Sequence, residues 1–147
     1  MNKKMTALGN KFIRTGDAVS SKYKSLSKAA AAEYGLTVCE MDILMCLDRC
    51  KTPQTVRDVS HDTHYSKGMI SRCVESLRLN DYVTVVRDTV DRRAVRISLT
   101  EKAKPALTEF NTHASELTNA LYAGLSEADL KELDQLTEIV LANIEDM

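Results

Sequence analysis

The sequence predicts a mainly α chain with a small β element, and three observations carry that prediction. Apolar residues recur at helical spacing through most of the 147 residues, a single segment, 82–99, switches to a period of two, and cap signals cut the remainder into short helices. Apolar residues make up 44% of the chain and charged residues 28%, the balance of an ordinary globular domain and far from that of a disordered one.

Each element has its own signal. Leu8, Phe12, Val19, Tyr23, Leu26 and Ala30 outline a long first helix, with a break expected near Gly16 and Gly35 placed to close it. In Leu36-Thr37-Val38-Cys39-Glu40-Met41, Thr37 and Glu40 have the spacing of a capping box and Leu36 can staple onto Met41. The second helix therefore starts there, turns Met41, Leu44, Met45 and Leu47 inward, and runs out near Cys50-Lys51-Thr52-Pro53. Thr55-Val56-Arg57-Asp58 repeats the cap logic for a short third helix ending between His61 and His64. Ser66 caps a fourth, whose apolar stripe is Ile70, Cys73, Val74 and Leu77.

Tyr82–Arg87 and Ala94–Leu99 are β-rich and read as two paired, half-buried strands. Thr100 is expected to cap a fifth helix, with Pro105 disturbing its first turns. Ser126 and Asp129 cap a last helix along which Leu130, Leu133, Leu136 or Thr137, Val140 and Ile144 form a row suited to packing on another helix.

Several classes of protein fall away. There is no internal repeat, no low-complexity tract and no run of about 18 apolar residues, so neither a solenoid nor a membrane span is supported. The start, MNKKMTALGNKFIRTG, is basic but lacks the apolar stretch of a secretory signal, and a cytoplasmic protein is expected. Cys39, Cys46, Cys50 and Cys73 form no paired C-x-x-C pattern and are expected as reduced, partly buried thiols. The three histidines stand in no recognisable relation to a nucleophile, and no phosphate-binding glycine loop or metal triad occurs. The chain is expected not to be an enzyme, to need no cofactor, and to hold no metal.

The net charge of −1 conceals a gradient. Residues 1–50 net +3, residues 51–104 net +4, and residues 105–147 net −8. A basic middle beside an acidic end is what a localised anion-binding face looks like.

Two short capped helices followed at once by a hairpin with a charged tip make a winged helix-turn-helix. DRRAVRISLTEKA, from Asp91 to Ala103, and SKGMISRCVESL, from Ser66 to Leu77, resemble the wing and the recognition helix of the MarR (multiple antibiotic resistance regulator) family of bacterial transcription factors. The resemblance covers nearly the whole chain. It departs at the turn before the wing, where Asn80 is expected to take the left-handed conformation a glycine usually supplies, at Val59-Ser60 in place of Leu-Ala, and at Ala103 in place of glycine.

The resemblance implies a single domain over 1–147. Residues 1–35 and 105–147 then supply dimerisation helices, and 36–104 a DNA-binding lobe. It implies a homodimeric regulator, a repressor rather than an activator, that binds a pseudo-palindromic operator in double-stranded DNA. The acidic end would face away from the DNA.

The residues expected to touch DNA are Thr55, Ser66, Lys67, Gly68, Ser71, Arg72, Asp91, Arg92 and Arg93. Gly68 leaves room for close backbone approach, Ser66 and Ser71 can donate to phosphate or base edges, and Lys67 adds charge. Arg72 has the planar fork suited to guanine or phosphate. Thr55 and the helix start behind it could hold a phosphate. A hairpin tip carrying guanidinium groups can enter a narrow A·T-rich minor groove. Arg93 occupies the family's D-x-R arginine and is the expected inserter, Arg92 is assigned to phosphate, and Asp91 is expected to pair with Arg72 or Arg93.

The family's regulators respond to small ligands, oxidants or metals. Three places here answer to that: Cys46 and Cys50, four apart on one helix face, with Cys39 two turns back; His61, Asp62 and His64, with no further ligand near in sequence; and a ligand crevice touched by Tyr34, Met41 and Met45. The N-terminal cysteine of the family's peroxide sensors is absent, and plain core or surface roles are the expectation for the first two. The alternative to a DNA-binding regulator is a winged-helix module that binds a protein partner and no DNA.

Overall fold

The computed structural model describes residues 3–147, so Met1 and Asn2 of the expected N-terminal dimerisation segment lie outside the described residues. Six helices and a two-stranded sheet follow in the order α1 (Lys3–Glu33), α2 (Val38–Cys50), α3 (Val56–Thr63), α4 (Lys67–Leu79), β1 (Val83–Arg87), β2 (Val95–Leu99), α5 (Lys104–Leu121) and α6 (Glu127–Glu145). The chain divides into two compact units, one ending at His113 and one running from Ala114 to Met147.

In the first unit, α1 runs without a break, contrary to the expected interruption near Gly16. A side chain at Gly9 or Gly16 would meet nothing within 4 Å, so both are ordinary positions on an exposed helix surface. The helix ends where expected. Gly35 takes φ +66°, its N–H donates to the Ala32 carbonyl, and the Leu36 N–H donates to that of Ala31, the paired bonds of a Schellman stop.

The capping boxes form as read. Thr37 accepts from the Glu40 N–H while the Glu40 carboxylate takes the Thr37 N–H, and Thr55 and Asp58 repeat the arrangement. α2 lies at the centre of this unit and buries more than the predicted stripe. Cys39, Ile43 and Cys46 join Met41, Leu44 and Leu47 out of solvent, because α1, α3, α4 and β2 all pack against it. The core continues through Val59, Ile70, Val74, Leu77, Tyr82, Val83 and Ile97.

The wing pairs antiparallel, from Val83 opposite Leu99 to Arg87 opposite Val95. Ahead of it the left-handed residue is Asp81 (φ 62°), not the expected Asn80, which sits at φ −96°. Asn80 instead uses its amide to donate to the Ser76 carbonyl. Thr100 also departs from expectation. Its hydroxyl donates back to the Asp81 carbonyl rather than capping a helix, and a 3-10 turn over Glu101–Ala103 leads into α5. Pro105 is the second residue of α5, where the N–H it lacks has no helical partner to lose.

The second unit holds the end of α5, a turn with Gly124 at φ 89°, and α6, whose start is capped by Ser126 and Asp129. No residue of α6 is buried.

Candidate nucleic-acid interface

α3 and α4 meet in a turn held by side chains. His64 closes α3 in the left-handed conformation (φ 61°), and Ser66, the cap of α4, accepts from the Met69 N–H. Between them, the Tyr65 hydroxyl donates to Asp42 Oδ2 of α2 at 2.7 Å, and Ser27 of α1 donates to Asp42 Oδ1 at 2.8 Å. The hydrogen bond to Asp42 pushes the Tyr65 phenol well above its ordinary pKa, so it stays a donor. Ser60 donates to the Tyr65 carbonyl at 2.6 Å, which gives the hydroxyl at this position a local task within the turn.

With Ile70, Val74 and Leu77 buried, the opposite side of α4 is exposed, and Ser66, Lys67, Gly68, Ser71 and Arg72 all lie there. A Cβ added at Gly68 would meet nothing within 4 Å. Thr55 differs from these. Its hydroxyl is committed to Asp58 Oδ2 at 2.8 Å, and that carboxylate occupies the start of α3 where a phosphate was expected. The backbone N–H of Thr55 holds Asp58 below the ordinary carboxylate range, so the charge is present at neutral pH.

Arg92 and Arg93 are both exposed at the hairpin tip. Asp91 pairs with neither the Arg72 nor the Arg93 side chain, the two partners expected for it. Its Oδ1 accepts the Arg93 backbone N–H at 3.0 Å and its carbonyl accepts that of Ala94, so it shapes the turn from which the arginines project. Among the described residues Lys67, Arg72, Arg92 and Arg93 make no ion pair, while Arg49, Lys51, Arg78, Arg96 and Lys104 do. The exposed Arg57 of α3 and Arg87 of β1 make none either, so the cations assigned to DNA belong to a larger set with charge to spare.

Two residues that hold the wing were not anticipated. Arg96 pairs with Asp88 at 3.1 Å and donates to the Pro53 carbonyl at 3.3 Å. The signal was available in the hairpin register, since Asp88 faces Ala94 and lies diagonal to Arg96 on the same face. Gln54 adds a bridge to Ile97 with bonds of 2.8 and 3.0 Å, which ties the loop before α3 to the sheet. The wing is therefore anchored to the same loop that launches the helix-turn-helix.

The other predicted places resolve as follows. Tyr34 donates to Glu109 at 3.0 Å and Met41 is fully buried, whereas Met45 lines a cavity of about 390 Å3 with Tyr23, Lys24, Arg49 and Phe110. His61 and His64 are exposed. Asp62 reaches across to α2, where it takes a hydrogen bond from the Cys46 thiol at 3.3 Å and pairs with Arg49 at 3.4 Å. Burial pushes the Cys39 and Cys46 thiols up to about 12, so both are protonated and poorly nucleophilic at neutral pH.

Residues 25–110 match the sequence pattern of the transcriptional regulator SarA/Rot family, a span running from the end of α1 through the helix-turn-helix and the wing into α5. The chain belongs to the SarA/Rot family. This SarA/Rot protein is also 26% identical to the transcriptional regulator AdcR of Streptococcus pyogenes serotype M6, over 100% of its own length and 97% of that protein's. A MarR transcriptional regulator from Methanosarcina mazei Go1 superposes with a TM-score of 0.73 at 25% identity, covering 93% of this chain and 99% of the other. BpsR of Bordetella bronchiseptica, whose DNA binding is regulated by 6-hydroxynicotinic acid, superposes with a TM-score of 0.63 at 19% identity over 88% and 98%. The MarR resemblance read from the wing and the recognition helix holds, and the family is one of regulators and not of enzymes. Among the described residues no helix is long and apolar enough to cross a membrane.

Proposed function

We propose that this SarA/Rot protein is a cytoplasmic, sequence-specific DNA-binding repressor that works as a homodimer on a pseudo-palindromic operator. The observation that carries the reading is the set of unpaired, exposed cations on α4 and the wing tip, beside which Arg78 and Arg96 are held in ion pairs. A helix whose outer side is Ser66, Lys67, Gly68, Ser71 and Arg72 fits a major groove about 12 Å wide, and Arg92 and Arg93 then reach the flanking minor groove and its phosphates. Thr55 contributes position through its cap rather than a free hydroxyl.

Residues 36–104 act as the reading lobe, with the flanking helices as the dimer contact. Met5, Leu8, Phe12 and Ile13 of α1 and Leu133, Leu136, Ile139 and Ile144 of α6 are exposed in the single chain, as surfaces awaiting a second copy are. A small effector that relieves repression has a place in the cavity beside Met45, lined by Lys24 and Arg49 together with Asp42 and Asp48.

The test is operator binding after selection of bound genomic fragments. Affinity should fall steeply with salt, and Arg93→Ala should cost about 1–3 kcal/mol while Lys131→Ala on α6 costs little. Equal effects of the two substitutions overturn the wing assignment. Unchanged partner binding after neutralising both Arg92 and Arg93 points instead to a protein-binding module.

A further inference from the structure

Near the turn between α3 and α4, three potential ligand atoms converge from two helices. The sulfurs of Cys46 and Cys50 and a carboxylate oxygen of Asp62 all lie within 4.8 Å of one another. The cysteines are four residues apart in the last turns of α2, so both thiols leave one face of that helix. Asp62 comes from the last turn of α3 and already accepts the Cys46 thiol at 3.3 Å. We propose that Cys46, Cys50 and Asp62 form a binding site for a thiophilic divalent cation of the zinc type, which clamps the end of α2 to the end of α3.

The donor set selects the metal. Two sulfurs and one oxygen suit zinc and similar late divalent ions, whereas calcium and magnesium require shells of oxygen. Tetrahedral zinc with bonds of about 2.3 Å to sulfur places its ligands some 3.7 Å apart; Cys46 and Asp62 already stand 3.3 Å apart, so any closing falls to Cys50, within 4.8 Å of both. The site can do this. Cys50 is the last residue of its helix, ahead of a left-handed cap at Lys51, and the Asp62 side chain is 46% exposed. Cys46 is the fixed point, fully buried.

Three protein ligands leave a fourth corner to water on the Asp62 side, which is also the route in from solvent. Charge is compatible as well: two thiolates and a carboxylate around a divalent cation leave one negative charge, and the Arg49 guanidinium stands 3.4 Å from Asp62 to balance it. On binding, each cysteine forms a sulfur–metal bond and releases its thiol proton to solvent, with no change in oxidation state.

The structural consequence follows from the chain order. Asp62 is two residues before His64, the left-handed cap of α3, and four before Ser66, the cap of the proposed recognition helix. A clamp at Asp62 fixes the spacing of that turn against α2. Its effect on DNA affinity rests on the function proposed above, but the metal site itself does not.

Cobalt(II) is the probe, because thiolate ligation gives it a sulfur-to-metal charge-transfer band and tetrahedral coordination gives intense visible bands. Reduced full-length protein is titrated with cobalt(II) and then with zinc(II), without DNA. One cobalt per chain is expected, with both signatures, displaced by zinc. Cys50→Ser should weaken binding at least about tenfold and diminish the charge-transfer band, and Asp62→Asn should weaken binding and keep the band. Cys50 is half-buried and Asp62 exposed, so both variants should fold, whereas Cys46→Ser places a hydroxyl in the core. Cys39→Ser and Cys73→Ser should change nothing. Absence of the band, its survival at full strength in Cys50→Ser, or its loss in Cys39→Ser or Cys73→Ser overturns the site. Because no DNA is present, failure here is distinct from failure to bind an operator, which is read by the Arg93→Ala comparison.

Discussion

Arg96 holds Asp88 where the strands of the wing give way to its loop, with its Nη2 3.1 Å from the carboxylate, and the same guanidinium reaches the Pro53 carbonyl through Nη1 at 3.3 Å. Asp88 in turn accepts the Val90 N–H at 3.0 Å, so one carboxylate joins the strand end, the loop and the neighbouring segment. Neither residue lies at the tip. They tie the segment that leads to Arg92 and Arg93 to the strands and to Pro53.

Surface ion pairs of this kind add little to global stability, because solvent screens them and two side chains must be ordered. Asp88→Ala is therefore expected to leave the thermal midpoint nearly unchanged while lowering operator affinity several-fold. Arg96→Ala, which also loses the Pro53 contact, should cost more affinity than Asp88→Ala. Calorimetry or circular dichroism read beside operator titration checks both. Stability and affinity falling in proportion would show that the pair holds the fold rather than the wing.

Gly68 separates folding from recognition in the opposite direction. It lies in the first turn of α4 and its missing Cβ faces open space. Alanine there should raise stability by up to about 1 kcal/mol through helix propensity. If DNA backbone or bases approach this point, the same methyl group should weaken operator binding about tenfold or more. A Gly68→Ala protein that is more stable and binds equally well would remove Gly68 from the interface.

How much of this was readable beforehand depended on the range of each interaction. Thr37 with Glu40, Thr55 with Asp58 and Ser126 with Asp129 lie three residues apart, so a linear reading finds them, and all three boxes form. The strands were legible because Val95, Ile97 and Leu99 alternate with Arg96 and Ser98. The left-handed residue before the wing was misplaced by one. Asn80 finds a helical carbonyl at Ser76 for its amide, and the reversal passes to Asp81, whose carbonyl is then taken by Thr100. That competition involves residues 19 apart, which spacing alone does not reveal. Asp62 shows the same limit: it was read with His61 and His64, its neighbours in sequence, whereas its partners Cys46 and Arg49 come from another helix.

Acid should weaken the fold through two helix caps. Asp58 and Asp129 are each held below the ordinary carboxylate range, chiefly by the backbone N–H groups of Thr55 and Ser126. A carboxylate with a lowered folded pKa contributes its full stabilisation above its unfolded value, near pH 4, and loses it as pH falls through the lowered one. Glu33, raised by its hydrogen bond to Glu109, acts in the other sense but alone. The thermal midpoint should hold from about pH 7 to 5 and decline below about pH 4. Asp58→Asn should flatten that decline, because an amide has no charge to lose. Parallel acid limbs for the two proteins would take Asp58 out of the account.

The last helix offers a test of assembly. Leu133 and Leu136 of α6 are 41% and 54% exposed, and none of the helix's side chains is buried in the single chain. Replacing Leu133 or Leu136 by Asp therefore removes no core packing from the monomer. In a two-fold dimer each position counts twice, and full burial of one leucine is worth about 1.5–3 kcal/mol, so the substitution should weaken association about a hundredfold or more. Sedimentation should then show monomer, against the dimer expected of the parent chain. Operator affinity should fall toward that of a single half-site, and the melting of the unit containing the wing should persist. Parent and substituted proteins sedimenting alike would place the contact between copies elsewhere and leave the exposed row of α6 without the role assigned to it.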